Sequence, residues 1–356
     1  MPRLDTFLRI AADQRASDLH FHAGKVPHVR YNGELSTMPF RVLSEPQVRA
    51  LLDEILEAGQ LATLDREGQV DFAYELADVG RFRGSVCRQT GGLSAVFRVV
   101  PTSIPMLSDL ELPAAVAGFT RHANGLVLVT GPTGSGKTTT LASMVDLINR
   151  GSGRHVITVE DPIEFVHAPL RGLVTQREVG MHVTSFSAAL RSALREAPDV
   201  LVVGEMRDFE TISLALTAAE AGVLVFATLH TGSASKAIGR MLGAAPADQQ
   251  EQVREVLAVL LRGVISQRLC RLANGRGRVA ATEVLLQSAS ISNLVREGKV
   301  HQIEAYLSGG EDAVRGMHSL GSSLKRLVVE GRISRDEAML QANDPGTLRA
   351  SLGGDS

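Results

Sequence analysis

The chain has 356 residues, 44% of them hydrophobic and 21% charged, which is ordinary usage for a folded protein and leaves room for two domains. A net charge of −2 excludes a global basic field for nucleic acid or anionic lipid, and no apolar run approaches the ~18 residues that cross a bilayer. Cys87 and Cys270 lie far apart in no metal-ligand spacing, which points to reduced thiols in a cytoplasmic setting rather than a disulfide framework.

At the start, Asp5 and Asp13-Gln14-Arg15 interrupt any apolar run, so no signal peptide is expected there. Leu4, Phe7, Leu8 and Ala11 recur at helical spacing and predict an amphipathic helix over 3–15. Strands are expected at 17–22 and 26–31, and Asn32-Gly33 supplies a tight turn into a third that begins at Glu34. Helical periodicity runs from Glu45 to about Leu64, and β-like segments follow at 70–75, 81–88 and 95–100. Their sum is a compact α+β domain over 1–100. Pro101-Thr102-Ser103-Ile104-Pro105 breaks both helix and strand, which puts a linker at 101–113.

The remainder, 114–356, alternates strands with helices. Near-continuous apolar strands at 126–130, 156–160, 200–204 and 223–229 predict an α/β domain with a largely parallel sheet buried on both faces. The stretch 248–267 reads as helical, 279–286 as a final strand, and the rest to Asn343 as short helices before a frayed end at 352–356.

Between the first of these strands and the helical stretch 141–148 stands Gly131-Pro132-Thr133-Gly134-Ser135-Gly136-Lys137-Thr138-Thr139, the spacing G-x-x-x-x-G-K-S/T of a phosphate-binding loop. Its glycines let successive N–H groups face phosphate oxygens, and the helix that begins near Lys137 turns its positive end to the same anion. Lys137 is expected on the β- and γ-phosphates and the Thr138 hydroxyl on Mg²⁺, which makes a nucleoside triphosphate the ligand class. Hydrolysis also needs acids and positive charge. Glu205 ends an apolar strand and is the candidate beside the metal; Glu164, in the cluster Glu160-Asp161-Pro162-Ile163-Glu164, is the candidate that activates water. His230 follows the strand 223–229, where an imidazole can contact the γ-phosphate or its water. His20, His22 and His28 share strand spacing, yet no carboxylate or thiol spacing completes a metal site, so they read as surface or packing residues.

The blocks GPTGSGKTTTLA, ITVEDPIEFVH, QREV, SALREAPDVLVVGEMRD and LTAAEAGVLVFATLHT, in this order, resemble the type IV pilus retraction ATPases of the bacterial secretion ATPase superfamily. ASDLHFHAGKVPHVRYNGEL, RFRGSV, AVFRVVP and ISNLVREGKVHQI extend the resemblance over nearly the whole chain. It implies a RecA-like P-loop ATPase domain preceded by a smaller PAS-like α+β domain, assembled as a homohexamer with ATP held between domains. The family's catalytic glutamate maps to Glu164 and its Walker B glutamate to Glu205. Its phosphate-contacting arginines map to Arg81, Arg83 and Arg98, with Arg83 preferred, and Arg278 is a further candidate. Implied partners are an inner-membrane pilus platform protein and a paralogous pilus ATPase, with the protein cytoplasmic and peripheral to the inner membrane, without nucleic acid and without inserting in the bilayer.

Two departures bear on the subfamily. Family members usually carry a histidine where Val223 follows Gly222, and QREVG with REAPDV is similar to the accessory retraction ATPases (PilU). No cysteine pairs follow His230, whereas extension and secretion relatives often insert a four-cysteine zinc module there. The alternatives are a non-catalytic nucleotide-binding partner of a motor, which the retained Lys137, Glu164 and Glu205 oppose, and a nucleic-acid translocase. For the latter, 14 aromatic residues and no Trp offer little to stack bases on.

Overall fold

The computed structural model describes residues 2–14, 16–31, 34–100, 103–309 and 316–353. The Asn32-Gly33 turn, Pro101-Thr102 and the last three residues of the tail therefore lie outside the described residues. The chain divides into two compact units, Met1–Ser103 and Ile104–Ser356.

In the first unit, helices α1 (Arg3–Asp13), α2 (Glu45–Asp53) and α3 (Ala58–Glu67) accompany strands β1 (Asp18–His22), β2 (His28–Tyr31), β3 (Glu34–Thr37), β4 (Gln69–Leu76), β5 (Gly80–Gln89) and β6 (Gly92–Val100). The strands form one antiparallel sheet in the order β3-β2-β1-β6-β5-β4. Alternation decides its faces. Leu19, Phe21, Val29, Phe82, Val86, Ala95 and Phe97 pack against Leu4, Leu8, Val48, Leu51, Leu52 and Leu64 of the helices. The helical stretch expected over 45–64 is two helices, because Glu57 and Gln60 form a second capping box that starts α3 afresh.

The second unit is built on a seven-stranded sheet from β7 (Gly125–Thr130), β8 (His155–Glu160), β9 (Leu173–Glu178), β10 (Val200–Val203), β11 (Leu224–Leu229), β12 (Leu261–Arg271) and β13 (Arg278–Leu286). Its order is β13-β12-β7-β11-β10-β8-β9, parallel throughout except for β13. The surrounding helices are α4 (Ala114–Phe119), α5 (Lys137–Gly151), α6 (Phe186–Ala193), α7 (Phe209–Glu220), α8 (Ala234–Ala244), α9 (Gln250–Leu260), α10 (Ala289–Arg296), α11 (Ile303–Gly309), α12 (Leu320–Val329), α13 (Arg335–Gln341) and α14 (Pro345–Ser351). Successive residues of β7 feed opposite faces. Leu126 and Leu128 join the core under α7, α8 and α9, and Val127 and Val129 join the one under α4 and α5. A strand covered on both sides has to be apolar at every position, and β7 is.

Two expectations change here. Residues 248–267 are not one helix: α9 stops at Leu260 and β12 runs on from Leu261. Helix and buried strand both accept the apolar run 256–261. The strand is decided at Gly263, where any Cβ would stand 2.3 Å from the Phe119 ring. The segment 104–113, expected as linker, packs within the second unit: Ser143 Oγ donates to Pro105 O, Leu107 and Leu112 join a core cluster, and Glu111 pairs with Arg332.

Candidate active site at the carboxyl edge of the parallel sheet

Parallel strands end together, so the loops after β7, β8, β10 and β11 gather at one edge of the sheet. The loop after β7 is the phosphate-loop sequence. Gly131 takes a φ of 146° and a Cβ there would lie 2.3 Å from Gln267 O, while Gly136, at φ 87°, caps α5 at Lys137. Lys137 folds back over the loop and its Nζ donates to Gly131 O at 2.9 Å and Pro132 O at 3.0 Å. Burial lowers its pKa, and the negative charges of Glu205 and Glu164 oppose that shift, so both expected acids act on the expected lysine.

Glu205 follows β10. Its carboxylate is held by Arg207 Nη2 at 2.7 Å and faces His230 Nε2 at 3.4 Å. Thr228 Oγ1 donates to Gly204 O and Met206 N to Thr228 O at 3.1 Å, which ties the Glu205 segment to the strand that delivers His230. Glu164 is exposed, in the loop after β8. Glu160 ends that strand, is half-buried, and accepts from Thr158 Oγ1 at 2.7 Å and from the backbone N–H of Glu164. Burial pushes its carboxyl above the ordinary range.

The cradle suits a polyphosphate. Ser135 Oγ is buried without a hydrogen-bond partner among the described residues, Gly134 has nothing within 4 Å of its Cβ position, and the N-terminus of α5 opens onto the loop. Thr138, in the first turn of α5, and Glu205 carry the hard oxygen donors that a magnesium ion takes.

Sequence reasoning missed the braces. Gln267 of β12 donates from Nε2 to Ser135 O at 2.6 Å and accepts from Thr140 Oγ1 at 3.0 Å, and Ser266 Oγ lies 2.6 Å from Thr130 Oγ1. Gln267 was hidden at the end of a stretch read as helix; the β-branched Val264-Ile265 beside Gly263 was the available signal. Arg268 Nη2 donates to Asn343 Oδ1 at 2.6 Å, and Asn343 Nδ2 donates to Gly232 O at 3.1 Å, in the loop after His230.

The other expected residues are arginines. Arg278 begins β13, opposite Arg271 and two residues beyond Leu269, whose side chain lies 3.7 Å from the Cβ position of Gly136 in the phosphate loop. Arg81, Arg83 and Arg98 belong to the first unit. Arg83 and Arg98 are cross-strand neighbours on the face away from α1–α3, and Arg98 Nε donates to Asp18 at 2.9 Å. Burial raises the Asp18 carboxyl, but the Arg98 hydrogen bond, with Ser17, outweighs it and the net shift is down. The Arg83 side chain has no hydrogen bond or ion pair among the described residues. On that same face His20 and His22 stack at 6.5 Å, and no His, Cys, Asp and Glu grouping among the described residues could hold a metal.

Val223 is buried in the core immediately before β11, at the amino edge of the sheet. Seven residues of extended chain, about 23 Å, separate it from His230. A side chain at 223 therefore has no reach to this phosphate loop.

The sequence profile of the type II/IV secretion system protein family matches residues 2–350. The chain belongs to this family. Within it the chain is 45% identical to the type IV pilus retraction ATPase PilT of Pseudomonas aeruginosa over 95% of its own length and 97% of the relative's. Against the type IV pilus ATPase PilU of the same organism the identity is 35%, over 98% and 91%. A crystal structure of the pilus retraction motor PilT with bound ADP superposes with a TM-score of 0.91 at 42% identity, covering 98% of this chain and 99% of that one. The chain is thus a PilT-like secretion ATPase, with a RecA-like ATPase fold behind a smaller α+β unit. Similarity to PilT exceeds that to PilU, although QREVG and REAPDV resemble the latter.

Proposed function

We propose that the protein is a ring-forming motor that hydrolyses ATP to retract type IV pili. The observation that carries this reading is the meeting of Lys137, Glu205, Glu164 and His230 at one sheet edge, in a chain that follows PilT from end to end. Lys137 exchanges its carbonyl partners for β- and γ-phosphate oxygens, and the loop N–H groups of 131–139 bind the rest of the chain of phosphates. Glu164 takes a proton from the attacking water, and His230, oriented by Glu205, contacts the γ-phosphate or that water. A magnesium ion held through Thr138 and Glu205 would neutralise charge developing on the β- and γ-phosphates. Arg83 supplies the phosphate-sensing cation, since the guanidinium of Arg98 is already engaged by Asp18; Arg81 and Arg98 support it.

Loss of the γ-phosphate removes what Arg83 and His230 hold, which gives the cycle its mechanical step. The assembly is a homohexamer, closed by heterologous contacts, that acts on an inner-membrane platform protein from the cytoplasmic side. No helix among the described residues is long and apolar enough to cross a membrane, which favours attachment through that partner.

The test is deletion of the gene and rescue with wild type or Lys137→Ala. Retraction predicts abundant surface pili without twitching in the deletion, restored motility with wild type and none with Lys137→Ala. Loss of surface pili in the deletion would instead indicate an extension motor.

A further inference from the structure

The Gln176-Arg177-Glu178-Val179 motif has no assigned role, and its side chains point to one. β9 is the edge strand beside β8, and the register pairs Thr158 with Gln176 and Glu160 with Glu178. Past Glu160 the main-chain ladder stops, because the chain turns off through Asp161-Pro162. The side-chain amide of Gln176 continues it. Nε2 donates to Phe165 O at 2.8 Å, and Oε1 accepts from His167 N at 2.8 Å. A carbonyl at one residue and an N–H two residues later are the two groups that a parallel partner strand binds, so Gln176 acts as a peptide unit opposite Val166. Its second amide hydrogen goes to Glu160 Oε1 at 3.2 Å, and Glu160 accepts from the N–H of Glu164. Glu178 adds one more tether by accepting from Ile163 N at 3.1 Å. The loop that carries Glu164 is thereby fixed on both sides of that residue, from the edge strand.

We infer that Gln176 is a positioning residue for hydrolysis, which holds the 160–167 loop so that Glu164 keeps its reactive orientation without contacting nucleotide. The residue type is specified. Glutamate keeps the acceptor for His167 N–H but loses both donors, asparagine is one methylene short, and methionine fills the volume with no hydrogen bond. The inference rests on the reading of Glu164 as the residue that activates water.

The experiment compares full-length wild type, Gln176→Met, Gln176→Glu, Glu164→Gln and Glu164→Gln with Gln176→Met. For each, ATPase kcat and KM, affinity for a fluorescent ATP analogue, and melting temperature are measured. Both Gln176 variants are expected to lose about 10-fold to 100-fold in kcat, with KM and analogue affinity within about twofold of wild type, as misorientation of a reacting group costs. In the Glu164→Gln background, Gln176→Met should cost no further turnover in a single-turnover measurement, since Gln176 acts only through Glu164. Gln176→Glu keeps size and acceptor, and it carries the test if Gln176→Met does not fold. Unchanged kcat in the folded variants, a parallel loss of affinity and turnover, or an additive double mutant would each overturn the role of Gln176. Near-normal turnover by Glu164→Gln would overturn the reading of the site itself.

Discussion

His167 sits in the loop that carries Glu164, and burial depresses its imidazole from an ordinary value near 6.5 to about 4. A base with a lowered folded-state pKa binds its proton more tightly when unfolded. Its contribution to stability is therefore present above about pH 6.5 and is lost as pH falls through about 4. Urea midpoints measured between those limits should fall with pH in wild type, and His167→Leu should flatten the slope. A second residue-scale prediction concerns Gln267. Gln267→Leu strands Ser135 O and Thr140 Oγ1, two buried groups whose lost partners cost about 1–3 kcal/mol, so ATP affinity should weaken about tenfold by fluorescent-nucleotide titration. The positions of Lys137, Glu205 and His230 at one sheet edge were legible because the phosphate loop has fixed local spacing and the ends of parallel strands gather together. Gln267 and Gln176 were not legible as braces, since each acts on residues distant in sequence that only strand pairing brings near.

Among the elements, the strands β9 and β12 were not anticipated from the sequence, and β12 supports the phosphate loop on one side. Gly263 lets it pass Phe119 and Leu285 O, at 2.3 and 2.6 Å from the position a Cβ would take. Gly263→Ala should therefore destabilise by about 1–3 kcal/mol, the cost of overpacking a filled core, read from the urea midpoint. α8 shows how a helix start is held by groups far along the chain. Glu283 of β13 accepts from Ala234 N at 2.7 Å, and Glu304 accepts from Ser233 Oγ at 3.0 Å and from Ser235 Oγ. These carboxylates anchor the loop after His230 from the C-terminal elements. Helices with clear apolar periodicity, such as α1 and α5, and strands such as β7 and β11, were readable because one pattern alone fits them. The apolar run that joins α9 to β12 fits two.

At the scale of the molecule, the phosphate loop, both acids, His230 and their braces all belong to the second unit. A fragment covering 104–356 is expected to melt cooperatively and to bind a fluorescent ADP analogue with near wild-type affinity. Lacking Arg83, it should hydrolyse ATP on the order of 10³-fold more slowly than the full chain, as when an arginine finger is removed. The presence of two units could be read from the shift between antiparallel and alternating patterns. The place of residues 104–113 could not, because prolines mark a break in secondary structure and carry no sign of which core the following residues join.

The burial of Val223 at the amino edge, opposite the phosphate loop, has a consequence for how this protein varies. Buried substitutions along the amino edge of the parallel sheet, such as those at Val223, bear first on how much folded protein a cell accumulates. Those along the carboxyl edge can alter turnover with abundance unchanged. Variants that differ at the amino edge can thus drift in composition while the motor keeps its stroke, and a scan that scores abundance and motility separately would divide the same strands in two.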